Sequence, residues 1–509
     1  MPAPTDHPRL PAPCRKLGLW IFLLLLGVYV ALTRGHFFTT DEVTVYQQTR
    51  SLWERGDLAV APLPNSLPGR DGRYYGVYGA GQSVLSLPFY AVGKVARLGL
   101  EKLGARTALD VFAGPVLGQA PNRLWGGEVE IFFVNLFNAV TVAALGAVFF
   151  CCSLRLGAEP RWAFASTLIL GLATHLTGFS TGYYQHGAEA LFLLCAFDAL
   201  VRDAAKSRWQ SRFAAGASAG AMLLVRINTA VLLPALTGYL LFHTWRRLPS
   251  GAPRGRVLQL ARRSLPFFLP VAAGLFLAAA VSQWKFGVFD IRGAYARTLG
   301  FTTPLLLGLY GNLFSVGESI FLFSPILTLA PVYFRGFARR HPSEAAAILA
   351  MSVSSLLLYS KIYLWHGQWC FGPRYLVHLV PLLLLPLGPW LQTVPKRAWM
   401  AVAPLVAAGV LVEILHVFVN VSYVYWHEGY TYAEPFAYLF VPSQSQLLAH
   451  WRALLAWDNR VDTWLVNTAR LSGAHVSVPI VLCLAWFLAW CLRQVVHYLR
   501  EAQETFRTS

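Results

Sequence analysis

The sequence predicts an all-α polytopic membrane protein: a bundle of about twelve transmembrane helices with interfacial helices in a long first outer loop. Three observations carry this expectation. The chain of 509 residues is 56% hydrophobic and only 13% charged, with a mean hydropathy of +0.49, far too apolar for a soluble protein of that size. Apolar runs of roughly 20 residues, the length that crosses hydrocarbon, recur along the chain. Basic residues collect in the short breaks between those runs, as in Arg246-Arg247, Arg262-Arg263, Arg335 with Arg339-Arg340, and Lys396-Arg397, which is how cytoplasmic loops are marked. The net charge of +18 is therefore a membrane signature suited to anionic head groups, and no nucleic-acid partner is indicated.

Taken in order, residues 1–16 form a cytoplasmic tail. Leu17 to Leu32 is uninterrupted apolar after Arg15 and Lys16; no small-residue cleavage site follows at Thr33-Arg34-Gly35-His36-Phe37, so it stays as the first membrane helix. Further spans are expected at 130–154, 161–180, 185–203, 212–226, 228–244, 264–284, 313–334, 343–361, 374–393, 398–420 and 475–493. Tyr74 to Gly93 is charge-free and just long enough to cross, but crossing would turn every later basic cluster outward. Its glycines and Pro88 also make a poor spanning helix. It is expected to lie on or dip into the outer interface, leaving both termini cytoplasmic.

That topology places three sizeable connections outside: 34–128, the stretch around 285–308, and 421–471, with a shorter loop at 361–373. The last long connection is rich in Tyr423, Tyr425, Trp426, Tyr430, Tyr432, Phe436 and Tyr438, as suits an interface belt or a sugar-stacking surface. By region, 17–420 is expected to form the main transmembrane module with its first outer loop at 34–128, 421–474 an outer aromatic loop, and 475–509 the last helix with its tail. No internal repeat or separate soluble domain is visible. Of seven cysteines only Cys370 falls outside, and no metal-ligand spacing appears, so neither a disulfide nor a structural zinc is expected.

Candidate chemistry sits at the outer helix ends. Thr39-Thr40-Asp41-Glu42 follows the first span, and ionisable groups beside a bilayer are costly unless solvated or functional. The plain alternative is that Asp41 and Glu42 merely begin an interfacial helix. In Trp365-His366-Gly367-Gln368-Trp369-Cys370-Phe371-Gly372-Pro373-Arg374-Tyr375, the Gly-Pro pair is a turn followed by a helix start. Arg374 thus falls in a first turn, where free N–H groups already favour an anion such as a phosphate. Lys361 and His366 flank the same loop and are either further cations for such a phosphate or plain interfacial anchors, while Arg226, embedded between apolar runs at the expected outer turn, marks a buried partner or a cavity. Tyr183 to Glu189, with Tyr184 and His186, opens another helix with pocket-forming polar groups, and Gly311 to Ser319 reads as a flexible loop over a cleft.

Together these segments resemble the GT-C superfamily of polytopic glycosyltransferases that use polyprenyl-phosphate sugars, including protein O-mannosyltransferases and the lipid A aminoarabinose and galacturonic acid transferases. The resemblance covers most of the chain up to about residue 420. It rests on the acidic pair after the first span, on Tyr74-Tyr75-Gly76-Val77-Tyr78-Gly79-Ala80-Gly81 leading to Leu87-Pro88-Phe89, and on the Trp365-His366-Gly367 and Gly372-Pro373-Arg374-Tyr375 stretch. The Lys-Pro-Pro or His-Pro-Pro signature of the best-known branches is absent, Tyr78-Gly79-Ala80-Gly81 standing in its place.

What the resemblance implies is inverting transfer of a sugar from a polyprenyl-phosphate donor to an acceptor hydroxyl at the periplasmic or exterior face of the plasma (inner) membrane. Asp41, with Glu42, would supply the base; Arg374, Lys361, His366 and Arg226 would hold the donor phosphate. Tyr75, Tyr78, Tyr184, His186, Trp365 and Tyr375 would line the substrate pocket. Partners would be the lipid-linked donor, a lipid, glycan or protein acceptor, and membrane lipids. No protein metal ligand set is read and no cofactor is identified, although carboxylates beside a lipid phosphate leave room for a divalent cation. The rival classes are a transporter or flippase of lipid-linked saccharides, which would place its site at mid-membrane on repeat-related broken helices, and a glycan polymerase or ligase.

Overall fold

The computed structural model describes residues 10–104, 129–250, 252–292, 300–368, 370–430, 436–456 and 461–508. Parts of the first and second long outer loops (105–128 and 293–299), Trp369, and Tyr432 of the aromatic loop lie outside the described residues.

The described chain is almost wholly helical, and seven of its helical stretches are long and apolar enough to cross a membrane. It is a polytopic all-α membrane protein. α1 (Ala12–Leu32) begins behind Pro11, whose missing N–H costs nothing at a helix start. α2 (Thr40–Arg55) follows after a seven-residue corner; it starts with a capping box and ends at Gly56 in the left-handed region. The chain then folds a small antiparallel sheet, β1 (Ala59–Val60), β2 (Ser66–Pro68) and β3 (Tyr74–Gly76), with β3 in the middle.

The short α3 (Gly81–Leu85) and amphipathic α4 (Leu87–Lys102) come next. Tyr74 to Gly93 is thus a strand and two helices, not one helix. α4 exposes Val92, Val95 and Leu98 at helical spacing, while Lys94 reaches back to Glu54 of α2 at 2.9 Å.

α5 (Val129–Arg155), α6 (Pro160–Leu172), α7 (His186–Ala205), α8 (Trp209–Val225), α9 (Leu233–Arg246) and α10 (Pro253–Phe286) build the central layers. The Tyr29 hydroxyl of α1 donates to the Gly171 carbonyl at 2.9 Å, pinning the first helix to the end of α6. α8 and α10 cross at small residues. A Cβ on Gly216 would lie 2.2 Å from the Phe267 carbonyl oxygen, and one on Gly220 2.5 Å from that of Pro270. Backbones this close need glycine, the membrane solution to packing where water supplies no driving force.

Two expected spans are broken. The stretch 313–334 divides into the end of α11 (Leu305–Phe314), α12 (Ile320–Phe323), a 3₁₀ turn over Pro325–Leu329, and the start of α13 (Ala330–Arg340). Ser315, Gly317 and Ser324-Pro325 interrupt the helical ladder there. After α14 (Pro342–Lys361), the stretch 374–393 is a 3₁₀ turn followed by α15 (Leu379–Leu384) and α16 (Leu387–Leu391), because Pro381, Pro386 and Pro389 each lack the N–H that a continuous helix needs. The expected span 161–180 also ends early, α6 stopping at Leu172.

α17 (Trp399–Phe418) is apolar until Glu413 and His416. α18 (Val421–His427), α19 (Phe436–Phe440), α20 (Gln446–Leu455) and α21 (Trp464–Ser472) cap one end of the bundle, and α22 (Ala474–Thr508) packs along α1.

Candidate active site

The two carboxylates of the acidic pair divide their work. Glu42 is fully buried and closes the capping box: its Oε2 accepts from the Phe38 and Thr39 N–H groups at 3.0 and 3.1 Å and from the Thr39 hydroxyl at 3.1 Å. Its Oε1 accepts from the Tyr183 N–H at 2.6 Å. Burial holds its pKa above the ordinary carboxylate range, against the opposing pull of these donors. Glu42 therefore fixes the start of α2 and ties it to the loop ahead of α7, with no oxygen turned to a ligand.

Asp41, one residue earlier, faces the opposite way. Its Oδ2 accepts from Arg374 Nη1 at 2.8 Å and its Oδ1 from Asn65 Nδ2 at 2.7 Å. Its side chain keeps 24% of its surface, against 13% for Arg374. Asp41 and Arg374 are 333 residues apart in sequence, brought together because one begins α2 and the other follows the Gly372-Pro373 turn. Gly372 and Gly367 both lie in the left-handed region (φ 74° and 72°), and a Cβ on Gly367 would lie 2.8 Å from Arg374 Cγ. The guanidinium sits over Tyr184 and Tyr375, 5.8 and 5.2 Å from their ring centroids, while its Nε is buried without a hydrogen-bond partner among the described residues.

The pair opens into a cleft of about 330 Å³ lined by Asp41, Tyr78, Tyr184, His186, Arg226 and Tyr375, among others. Tyr78, Gln185 and Arg226 also line a second cavity, about 620 Å³, between the Val77–Ala80 turn, the end of α8 and the last turns of α10. That cavity is walled mostly by apolar side chains, including Leu223, Val281 and Phe286, with Lys285 and Arg292 at its margin. Lys285 Nζ donates to the Gly76 and Tyr78 carbonyls at 3.2 and 2.9 Å and to Gln48 Oε1 at 3.0 Å. Sequence reasoning passed over Lys285: a cation closing an apolar helix reads as an interfacial anchor, and its contacts with β3 and the following turn are not local.

The other expected residues fall into two groups. Tyr78, Tyr184, His186, Arg226 and Tyr375 line the cleft. Arg226 is already engaged: its Nη1 donates to Glu189 Oε2 at 3.1 Å and lies 2.6 Å from His186 Nδ1. His378 Nδ1 lies 3.2 Å from the other Glu189 oxygen. Tyr75, Trp365, Lys361 and His366 do not line either cavity. Tyr75 belongs to the small sheet, its hydroxyl donating to Asp71 Oδ2 at 2.8 Å. Trp365 fills the space over Gly311.

His366 pairs with the Tyr438 hydroxyl at 2.9 Å. Burial, with Arg374 adding to it, pushes its pKa down to about 4, so it is neutral and supplies no positive charge at ordinary pH. Glu318, in the loop expected to cover the cleft, is buried, with Oε1 3.4 Å from Gln446 Nε2.

The fold is similar to two solved structures of one protein. Against ArnT from Cupriavidus metallidurans bound to undecaprenyl phosphate, the TM-score is 0.47 at 16% identity, covering 96% of this chain and 77% of that one. Against the same ArnT in its apo state the TM-score is 0.44 at 15% identity, covering 95% and 76%. No family model and no curated protein matches the sequence.

Proposed function

We propose that the protein is a GT-C-type membrane glycosyltransferase that moves a sugar from a polyprenyl-phosphate donor to an acceptor hydroxyl, with inversion, at the outer face of the membrane. The observation that supports this best is the Asp41–Arg374 pair at 2.8 Å, a carboxylate and a cation at one end of the bundle, facing a cleft that shares Tyr78, Gln185 and Arg226 with an apolar cavity.

In this mechanism the donor phosphate takes Arg374, using the guanidinium fork that grips phosphate oxygens. Its arrival breaks the ion pair and frees Asp41 Oδ2. The acceptor oxygen attacks the anomeric carbon from the face opposite the phosphate, and its proton passes to Asp41. The glycosidic C–O bond to phosphate breaks with its electron pair leaving on the phosphate oxygen, where Arg374 stabilises the developing charge.

Asn65 holds Asp41 through its other oxygen, and Glu42 holds the turn that presents it. Arg226, balanced by Glu189, is a neutral pair in the cleft wall and suits sugar hydroxyls better than a phosphate. The polyprenyl chain runs along the apolar cavity, and Lys285, its ammonium spent on Gln48, Gly76 and Tyr78, braces the turn that walls it.

The test is reconstitution in lipid nanodiscs with a panel of polyprenyl-phosphate sugars, reading release of free polyprenyl phosphate and a new glycoside of inverted configuration. Comparison of envelope lipids and glycans by mass spectrometry, with and without the gene, then identifies sugar and acceptor. Saccharide movement across vesicles with no new glycosidic bond would overturn the proposal in favour of a flippase.

A further inference from the structure

Behind the cleft, and lining neither cavity, His175, Glu413 and His416 converge in the interior. His175 lies just beyond the end of α6, in the irregular stretch that replaces the expected continuous span. Glu413 and His416 are three residues apart on α17, so they project from one helix face. All three are nearly inaccessible, at 1%, 3% and 4% exposure.

One ligand atom from each lies within 4.8 Å of the others. His175 Nδ1 is 4.0 Å from Glu413 Oε1, and His416 Nδ1 is 3.5 Å from Glu413 Oε2. We propose that these side chains hold a divalent transition-metal ion that fastens the end of α17 to the chain beyond α6. Ligands at about 2.0–2.2 Å around a tetrahedral ion stand roughly 3.3–3.6 Å from each other, so closing this set from within 4.8 Å requires even its widest pair to approach by no more than about 1.5 Å.

The second observation is the state of the donor atoms. Both ring nitrogens of His175, Nδ1 of His416 and Oε1 of Glu413 are buried without a hydrogen-bond partner among the described residues. Leaving such groups unpaired in the interior is costly, and four in one place is a concentration that native interiors avoid. Two histidines and a carboxylate are a donor set suited to zinc or a neighbouring divalent metal.

The surroundings hold the set in place. The Gly178 N–H donates to Glu413 Oε2 at 2.9 Å, orienting the carboxylate and leaving Oε1 free. A Cβ on Gly178 would stand 1.8 Å from His416 Nδ1, so only glycine admits that ring. Arg34 Nη2 donates to the His416 backbone carbonyl, and the Arg34 guanidinium stacks on Phe38 at 4.3 Å. Its charge is opposed by Asp462 and Glu42, while Glu413 offsets part of the ion's own charge. His450 approaches from α20 across Phe371, 4.4 Å between ring centroids, and lies outside the three-ligand set. Phe179 stands between His416 and Tyr184 in the cleft wall, 5.7 and 5.6 Å from their rings, so an ion here supports that wall without meeting substrate.

The experiment is elemental analysis of the purified full-length protein after zinc loading and dialysis, paired with thermal unfolding of chelator-stripped protein with and without added zinc or cobalt. Wild type should hold about one ion per chain, gain several degrees on zinc addition, and show tetrahedral cobalt absorption. Glu413→Gln and His416→Ala should hold less than about 0.2 ion per chain and gain nothing from zinc. Asp41→Asn should keep the full complement. Glu413→Gln is nearly isosteric, so it separates metal binding from a hydrogen-bonded cluster around a protonated carboxyl, which glutamine would imitate. Wild type that stays metal-free and unmoved by zinc or cobalt, or a Glu413→Gln protein with the wild-type metal content, overturns the proposal.

Discussion

Asp41→Asn tests the proposed base apart from the proposed donor-binding cation, and its effect follows from the two hydrogen bonds that Asp41 accepts. Asn65 Nδ2 stands 2.7 Å from one oxygen and Arg374 Nη1 2.8 Å from the other. An asparagine there satisfies one of these donors and turns its own NH₂ towards the second, so the charge-assisted contact with Arg374, typically about 1.5–3 kcal/mol, is lost. Loss of a general base lowers turnover by about 10²–10⁴-fold, which corresponds to about 3–5 kcal/mol of barrier. Donor affinity should move the other way. In the wild type a donor phosphate must displace Asp41 from Arg374, whereas the variant presents the guanidinium without that competitor, so affinity is held or tightened. The assay is single-turnover release of polyprenyl phosphate in nanodiscs together with equilibrium binding of polyprenyl phosphate itself. Turnover within tenfold of wild type removes Asp41 as the base. Parallel loss of binding and turnover shows that Asp41 holds the site together instead of competing for Arg374.

Four further outcomes follow. Arg374→Lys keeps the charge and loses the planar fork, so donor KM should rise about tenfold, or about 1.4 kcal/mol, with a smaller effect on kcat in steady-state kinetics. Glu42→Ala strips the partner from three backbone N–H groups and a hydroxyl and should cost about 2–4 kcal/mol, read as a lower unfolding temperature in detergent. Gly220→Leu drives a side chain into α10 near the Pro270 carbonyl and should destabilise the fold by about 2 kcal/mol or more; an unchanged unfolding temperature would mean that the two helices do not meet there. The His36–Asp462 pair, 2.8 Å apart, sets a pH dependence. Burial alone would lower the His36 pKa, but the Asp462 carboxylate outweighs it and holds His36 above 6.5. Burial likewise opposes ionisation of Asp462, yet His36, Arg34 and Asn467 hold its pKa well below 3.8. The pair's stabilisation is therefore whole between those two ordinary values; it fades as pH rises through the raised histidine value and as it falls through the depressed aspartate value. The gap in unfolding temperature between wild type and Asp462→Asn should narrow accordingly as pH rises through the raised His36 value.

What the sequence made legible is what is local. The helix start at the acidic pair, the long apolar runs and the Gly372-Pro373 turn each follow from a few adjacent residues, although the capping residue is Thr39, ahead of the expected Asp41, and the turn leads into a 3₁₀ turn where a helix was expected. The broken spans were partly visible in Pro381, Pro386 and Pro389, but hydropathy averages over about 20 residues and so smooths a proline break into a continuous helix. The small sheet was hidden for the opposite reason: its strands are two or three residues long, too short for any alternation to register. The functional features are the least local of all. That Glu42 is a structural acceptor and Asp41 an available one depends on Tyr183, 141 residues from Glu42, and on Arg374, 333 residues from Asp41. The Glu413-to-His416 spacing says nothing of a shared site until His175 comes in from the irregular chain beyond α6. Membrane helices keep their backbone hydrogen bonds within each segment, so the sequence of one helix says little about which of its few polar side chains meets which partner. In this chain those meetings, Asp41 with Arg374, Glu189 with Arg226, and Glu413 with two histidines, gather at one end of the bundle, where the helices stop and their last turns bring the polar groups together.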